Sequence, residues 1–147
     1  MTRVPFSNGA WDEVVTVSAS QARTATQRER QLVKDYRIWR GLTAQQFSRR
    51  RIDIGSLRLF TDGYLDGQQT LLEAKSLTSR EAIRTAIGQL YDYRRFLSPR
   101  PDLALLLPAK PTDDLLDLLE QASIAPIWMT PNGSFASTIP DLIAHPR

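Results

Sequence analysis

The chain has no cysteine and a single histidine, His145, near its end. These gaps remove disulfides, cysteine-ligated zinc, thiol nucleophiles, histidine-rich metal sites and a Ser-His-Asp triad. No apolar run nears the roughly 20 residues of a membrane span. The opening "MTRVPFSNGAWDEVV" has no compact apolar segment of the kind a secretory signal carries. The expectation is a cytoplasmic protein without a membrane partner. Any catalysis must then run on carboxylates, amines, hydroxyls and hard metals such as magnesium.

What is there is an ordinary globular composition with an uneven charge. At 147 residues, 41% apolar and 24% charged, the sequence reads as one domain over 1–147. Residues 1–20 are either an N-terminal extension or a cut edge. Residues 1–100 carry 17 basic against 10 acidic side chains, a net of +7, and residues 101–147 a net of −4. Arginine supplies 16 of the 19 cations, and arginine suits bidentate phosphate contacts. The basic part is either a solvated surface or a side that faces a polyanion.

Hydrophobic spacing sets the element order. "AWDEVVTVSAS" offers a strand near the start, and Ser20 to Gly41 reads as a helix with Leu32, Val33, Tyr36 and Trp39 at helical spacing. "QQFSRRRIDIG" alternates as a first strand. Two further runs, "LRLFTDGYL" and "TLLEAK", form a hairpin about Asp66-Gly67-Gln68-Gln69. Thr78 to Glu81 has capping-box spacing for a helix over Ser79–Leu97. "DLALLLPA" is a strand covered on both faces, "DDLLDLLEQA" a helix with acids at its start, and "APIWMT" a last short strand. A hairpin followed by two helical crossovers gives an α/β class with a mixed sheet between helices, three layers in all.

Within the hairpin, charges stand where core residues are expected. Glu73 and Lys75 are two apart on a strand and share a face. If Gly67-Gln68 are the central turn residues, with Gly67 suited to a type II′ turn, paired numbers sum to 135 and Asp62 lies opposite Glu73. The two Cβ atoms would then be roughly 5 Å apart, and the carboxylates would repel unless a cation sat between them. A turn centred on Asp66-Gly67 would instead pair Asp62 with Leu71 and move Glu73 to a diagonal.

Asp62 followed by Glu73-Ala74-Lys75 resembles the Asp…(Asp/Glu)-x-Lys signature of the PD-(D/E)XK nuclease superfamily. "GQLYDY" contains Gln89-x-x-x-Tyr93, similar to the Gln-x-x-x-Tyr helix of many of its branches, and Glu29 stands in the first helix where the family often has an extra acid. The resemblance covers about 28–108 and implies a restriction-endonuclease-like fold. The proline usual before the aspartate is Thr61 here.

The resemblance implies magnesium or manganese held by Asp62, Glu73 and the Ala74 carbonyl, with Glu29 as an additional acid. It makes Lys75 the catalytic cation and Gln89 its companion, and it makes DNA the substrate. Tyr93, Arg84, Arg94, Arg95 and Arg51 are the expected contacts to the phosphate backbone. So short a chain would take its specificity from a homodimer or a partner domain, in a restriction or defence setting. The alternatives are an exported antibacterial nuclease toxin and a catalytically silent nucleic-acid-binding module. Each residue also has a plainer reading: Glu73–Lys75 as an exposed edge pair, Glu29 as a solvated helix charge, Tyr93 as core.

Overall fold

The computed structural model describes residues 2–3 and 18–145. The strand expected in "AWDEVVTVSAS" falls almost wholly outside them, as does Trp11. Helix α1 (Ala19–Arg40) begins at Ser18, whose hydroxyl accepts the Gln21 N–H while the Gln21 side chain returns to the Ser18 N–H. It ends at Gly41, which takes the left-handed φ of 71° that a side chain would resist.

After α1 come β1 (Phe47–Ser48), β2 (Arg51–Ile54), β3 (Leu57–Phe60), β4 (Gly63–Leu65) and β5 (Thr70–Ala74). Then α2 (Arg80–Arg94), β6 (Asp102–Leu107), α3 (Asp113–Gln121), β7 (Ile124–Met129) and β8 (Phe135–Ser137) complete the sheet, followed by a 3-10 turn at Pro140–Leu142. The main sheet has the order β1-β4-β5-β6-β7-β8. Strands β5, β6 and β7 run parallel, each step joined by a helical crossover, and the outer pairs are antiparallel. The chain is therefore α/β with a mixed six-stranded sheet, as its pattern predicts.

Alternation of side chains on β6 divides the core in two. Ala104 and Leu106 face α1 with Leu32, Tyr36, Leu72 and Ala74. Leu103, Leu105 and Leu107 face α2 and α3 with Ile83, Leu90, Leu115 and Leu119. Burial on both faces explains why "LALLL" is an unbroken apolar run.

Four local expectations are corrected. "QQFSRRRIDIG" is two strands: β1 stays in the main sheet, and β2 leaves it to pair only with β3 in a separate ribbon. The break comes at Arg49-Arg50, where the Arg50 N–H donates to Thr61 Oγ1 and the Arg49 Nε to the Thr61 carbonyl. "LRLF" is consequently an exposed ribbon strand and not the covered start of the hairpin. The hairpin turn is a four-residue loop in which Gln69, at φ 48°, takes the left-handed position; Gly67 does not, so the type II′ form is absent. Helix α2 is capped by Ser79, which accepts the Ala82 N–H, and not by Thr78; it stops at Arg94, short of Leu97.

The register itself is the one that sums to 135: Gly63 faces Leu72, Tyr64 faces Leu71 and Leu65 faces Thr70. Gly63 is required here for space. A Cβ at that position would lie 2.3 Å from the Phe47 ring, which packs over the glycine from β1.

Candidate functional site

Strand β5 lies between β4 and β6, so Glu73 and Lys75 are not an exposed edge pair. Glu73 is 5% exposed and is the one charged residue of β5. The next rung after Gly63–Leu72 would pair Asp62 with Glu73, but β4 ends there. In place of a backbone partner, the Asp62 carboxylate accepts the Ala74 N–H at 2.8 Å. This bond fixes Asp62 against β5 and brings its charge to Glu73. The Lys75 ammonium stands 3.5 Å from Glu73 Oε1.

The electrostatics follow from that crowding. Burial, then the Asp62 charge, pushes the Glu73 carboxyl up to about 8, against the opposing pull of Lys75. A carboxyl raised that far favours its protonated form at neutral pH, with Asp62 as the neighbouring acceptor. Glu29 enters from α1, on the other side of the sheet. Burial raises its pKa, partly offset by Lys75 and by the Ser76 N–H that its carboxylate accepts; the Asp62 charge adds to the rise.

Helix α2 closes the other side. Tyr93 is raised by burial and then by the Glu73 charge, while a hydrogen bond from Gln89 lowers it. Tyr93 and Gln89 therefore meet one another beside the acids. Gln89 Oε1 is buried with no hydrogen-bond partner among the described residues, and an amide oxygen in that state costs about 1–3 kcal/mol.

The structure brings Asp62, Glu73, Lys75, Ala74, Glu29, Gln89 and Tyr93 together at the C-terminal end of β5. Crevices beyond the carboxyl ends of parallel strands are where ligands bind in open α/β sheets. The expected arginines do not join them. Arg84 is nine residues before Tyr93 on α2, about half a turn away at roughly 100° per residue. Arg95 pairs with Asp92 at 2.5 Å, Arg51 pairs with Asp53 at 3.2 Å on the ribbon, and Arg94 lies over the Tyr91 ring. Sequence order places these cations near the motif, but helix phase and local acids turn them elsewhere.

Spacing alone did not reveal the cations that do border the site. A groove of about 700 Å³ runs beside α1 and contains Glu29 and Asp62 together with Arg30, Lys34, Arg37 and Arg49. Arg30, Lys34 and Arg37 share a helical face by their spacing, but nothing in the sequence shows which face of α1 meets Asp62.

The donor set suits a hard divalent cation of the magnesium type, which takes one or two carboxylates and completes its shell with water and phosphate. Asp62 and Glu73 are two such carboxylates. No group of three or more His, Cys, Asp or Glu side chains converges as a metal cluster among the described residues, so Glu29 is an adjacent acid and not a third member of one. No described helix is long and apolar enough to cross a membrane. No family model, curated protein or solved structure matches the chain.

Proposed function

We propose that the chain is a magnesium- or manganese-dependent phosphodiesterase acting on DNA, of the PD-(D/E)XK kind. The observation that carries this reading is the meeting of Asp62 and Glu73 at the end of a central strand, with Lys75 on Glu73. Burying Glu73 beside a second, half-buried acid is costly. A purely structural role is better filled by an apolar residue, as at Leu71, Leu72 and Ala74.

Asp62, Glu73 and the Ala74 carbonyl would hold the metal, which when bound supplies Lewis-acid polarisation of a phosphate and acidifies water. The chain's own residues do the rest. Asp62 is oriented in advance by the Ala74 N–H. Lys75 sits 3.5 Å from Glu73 and places a positive charge where negative charge grows on the phosphoryl oxygens. Gln89 offers an unused acceptor from α2, suited to fixing the lysine ammonium or the attacking water. Tyr93 walls the site with a neutral phenol.

A homodimer or a partner domain would add sequence specificity, and a defence setting follows from the resemblance alone. The test is incubation of pure protein with plasmid, single-stranded DNA and RNA in magnesium, manganese or EDTA. Metal-dependent cleavage of DNA is expected; cleavage of none of the three sinks the reading.

A further inference from the structure

We infer that the phosphate backbone of the bound nucleic acid runs along α1, held by Arg30, Lys34, Arg37 and Arg49, and not along α2; this rests on the phosphodiesterase reading. Arg30, Lys34 and Arg37 are spaced by four and three residues and so share one face of α1. They extend over about 10 Å at 1.5 Å per residue. Arg49, just after β1, borders the same groove, and Asp62 and Glu29 belong to it as well. The groove therefore joins a cationic stripe to Asp62, one member of the acid pair.

What sets this groove apart is that four cations line it together with Asp62, since Arg28, Arg84, Arg94 and Lys110 elsewhere also lack an acidic partner among the described residues. Arg80, Arg95, Arg50, Arg51 and Arg58 are each paired with an aspartate. None of Arg30, Lys34, Arg37 and Arg49 has an acidic partner among the described residues. Arg37 and Arg49 spend only Nε in hydrogen bonds, on the carbonyls of Leu42 at 3.3 Å and Thr61 at 2.9 Å, and the Arg49 guanidinium also lies over the Phe60 ring; the terminal nitrogens of both are left to other acceptors. Four unpaired cations along one groove repel one another, and a polyanion relieves that repulsion while releasing its counterions.

Asp62 has the opposite effect. Without a metal its carboxylate repels a phosphate, so metal-free affinity comes from the stripe and not from the catalytic end. Binding in EDTA thus reads the groove independently of cleavage.

The experiment measures fluorescence anisotropy of labelled 20-mer duplex and single-stranded DNA in EDTA, from 50 to 200 mM salt. It compares the wild-type chain with R30Q/K34Q/R37Q and with R84Q/R95Q, each checked by thermal melting. The groove variant is expected to bind about tenfold or more weakly, with a salt slope smaller by about two to three. The α2 variant is expected to bind like wild type. Should the triple variant melt early, R30Q and K34Q singly are each expected to lower the slope by about one. Wild-type affinity in the groove variants, an equal loss in R84Q/R95Q, or no binding by the wild-type chain overturns the inference. Groove-dependent binding without metal-dependent cleavage would instead remove the phosphodiesterase reading and leave the groove standing.

Discussion

The Asp62 carboxylate takes the Ala74 N–H at 2.8 Å, at the point where β4 stops offering backbone to β5. One hydrogen bond thus ends a strand, anchors an acid and directs it at Glu73. The site and the sheet are the same construction, and the consequences can be measured separately.

The proton on Glu73 makes the metal-free fold pH-dependent. Its pKa is raised from 4.5 to about 8, so between those values the folded chain holds more protons than the unfolded one, and stability falls as pH rises. The contribution is complete below about pH 4.5 and lost as pH passes through about 8. In EDTA the melting temperature is expected to decline from pH 5 to pH 8. Glu73→Gln, which mimics the protonated acid, is expected to flatten that decline.

Magnesium should act most where the proton is least secure. A cation that replaces the Glu73 proton binds the folded state and stabilises it by mass action. The melting temperature is expected to rise with millimolar magnesium, more at pH 8 than at pH 6, and Asp62→Asn is expected to abolish the rise. Calorimetry at the two pH values checks this.

Thr61 is not a loose stand-in for the proline usual in the signature. Its N–H donates to the Arg50 carbonyl at 3.0 Å and its Oγ1 accepts the Arg50 N–H at 2.9 Å. Proline would remove both. Thr61→Pro is expected to lower stability by about 2–3 kcal/mol, measured by urea unfolding.

Gln89 separates activity from stability. Its buried Oε1 has no partner among the described residues, so Gln89→Leu removes an orphaned acceptor and is expected to leave the melting temperature unchanged or raised. Cleavage is expected to fall about tenfold or more. A drop in stability with activity intact would show that the amide serves packing alone.

Some of this was legible in the sequence and some was not. The register came from Gly67-Gln68 and held although the turn is of another type, because alternating apolar residues on both strands fix the pairing more firmly than the loop does. "LALLL" announced a doubly covered strand since its only neighbours are core. The β2–β3 ribbon was hidden, because "RIDIGSLRLF" alternates like any sheet strand while Ile54, Leu57 and Phe60 are exposed. That the expected arginines stand apart from the acids was hidden for a similar reason: proximity in sequence says nothing of helix phase, and Arg84 and Tyr93 sit on opposite sides of α2. Glu29 directly precedes Arg30 of the basic stripe, yet only the layering of α1 over β5 brings either to Asp62.

Lys75→Met tests the central claim most directly. Because Glu73 can remain protonated, losing the lysine leaves a neutral acid in place of a stranded charge, and the fold is expected to survive. Metal-dependent plasmid cleavage is expected to disappear while DNA binding in EDTA stays within about twofold of wild type. Cleavage that persists in a folded Lys75→Met chain, or that proceeds equally in EDTA, would contradict the assignment of Asp62, Glu73 and Lys75 as the reacting site.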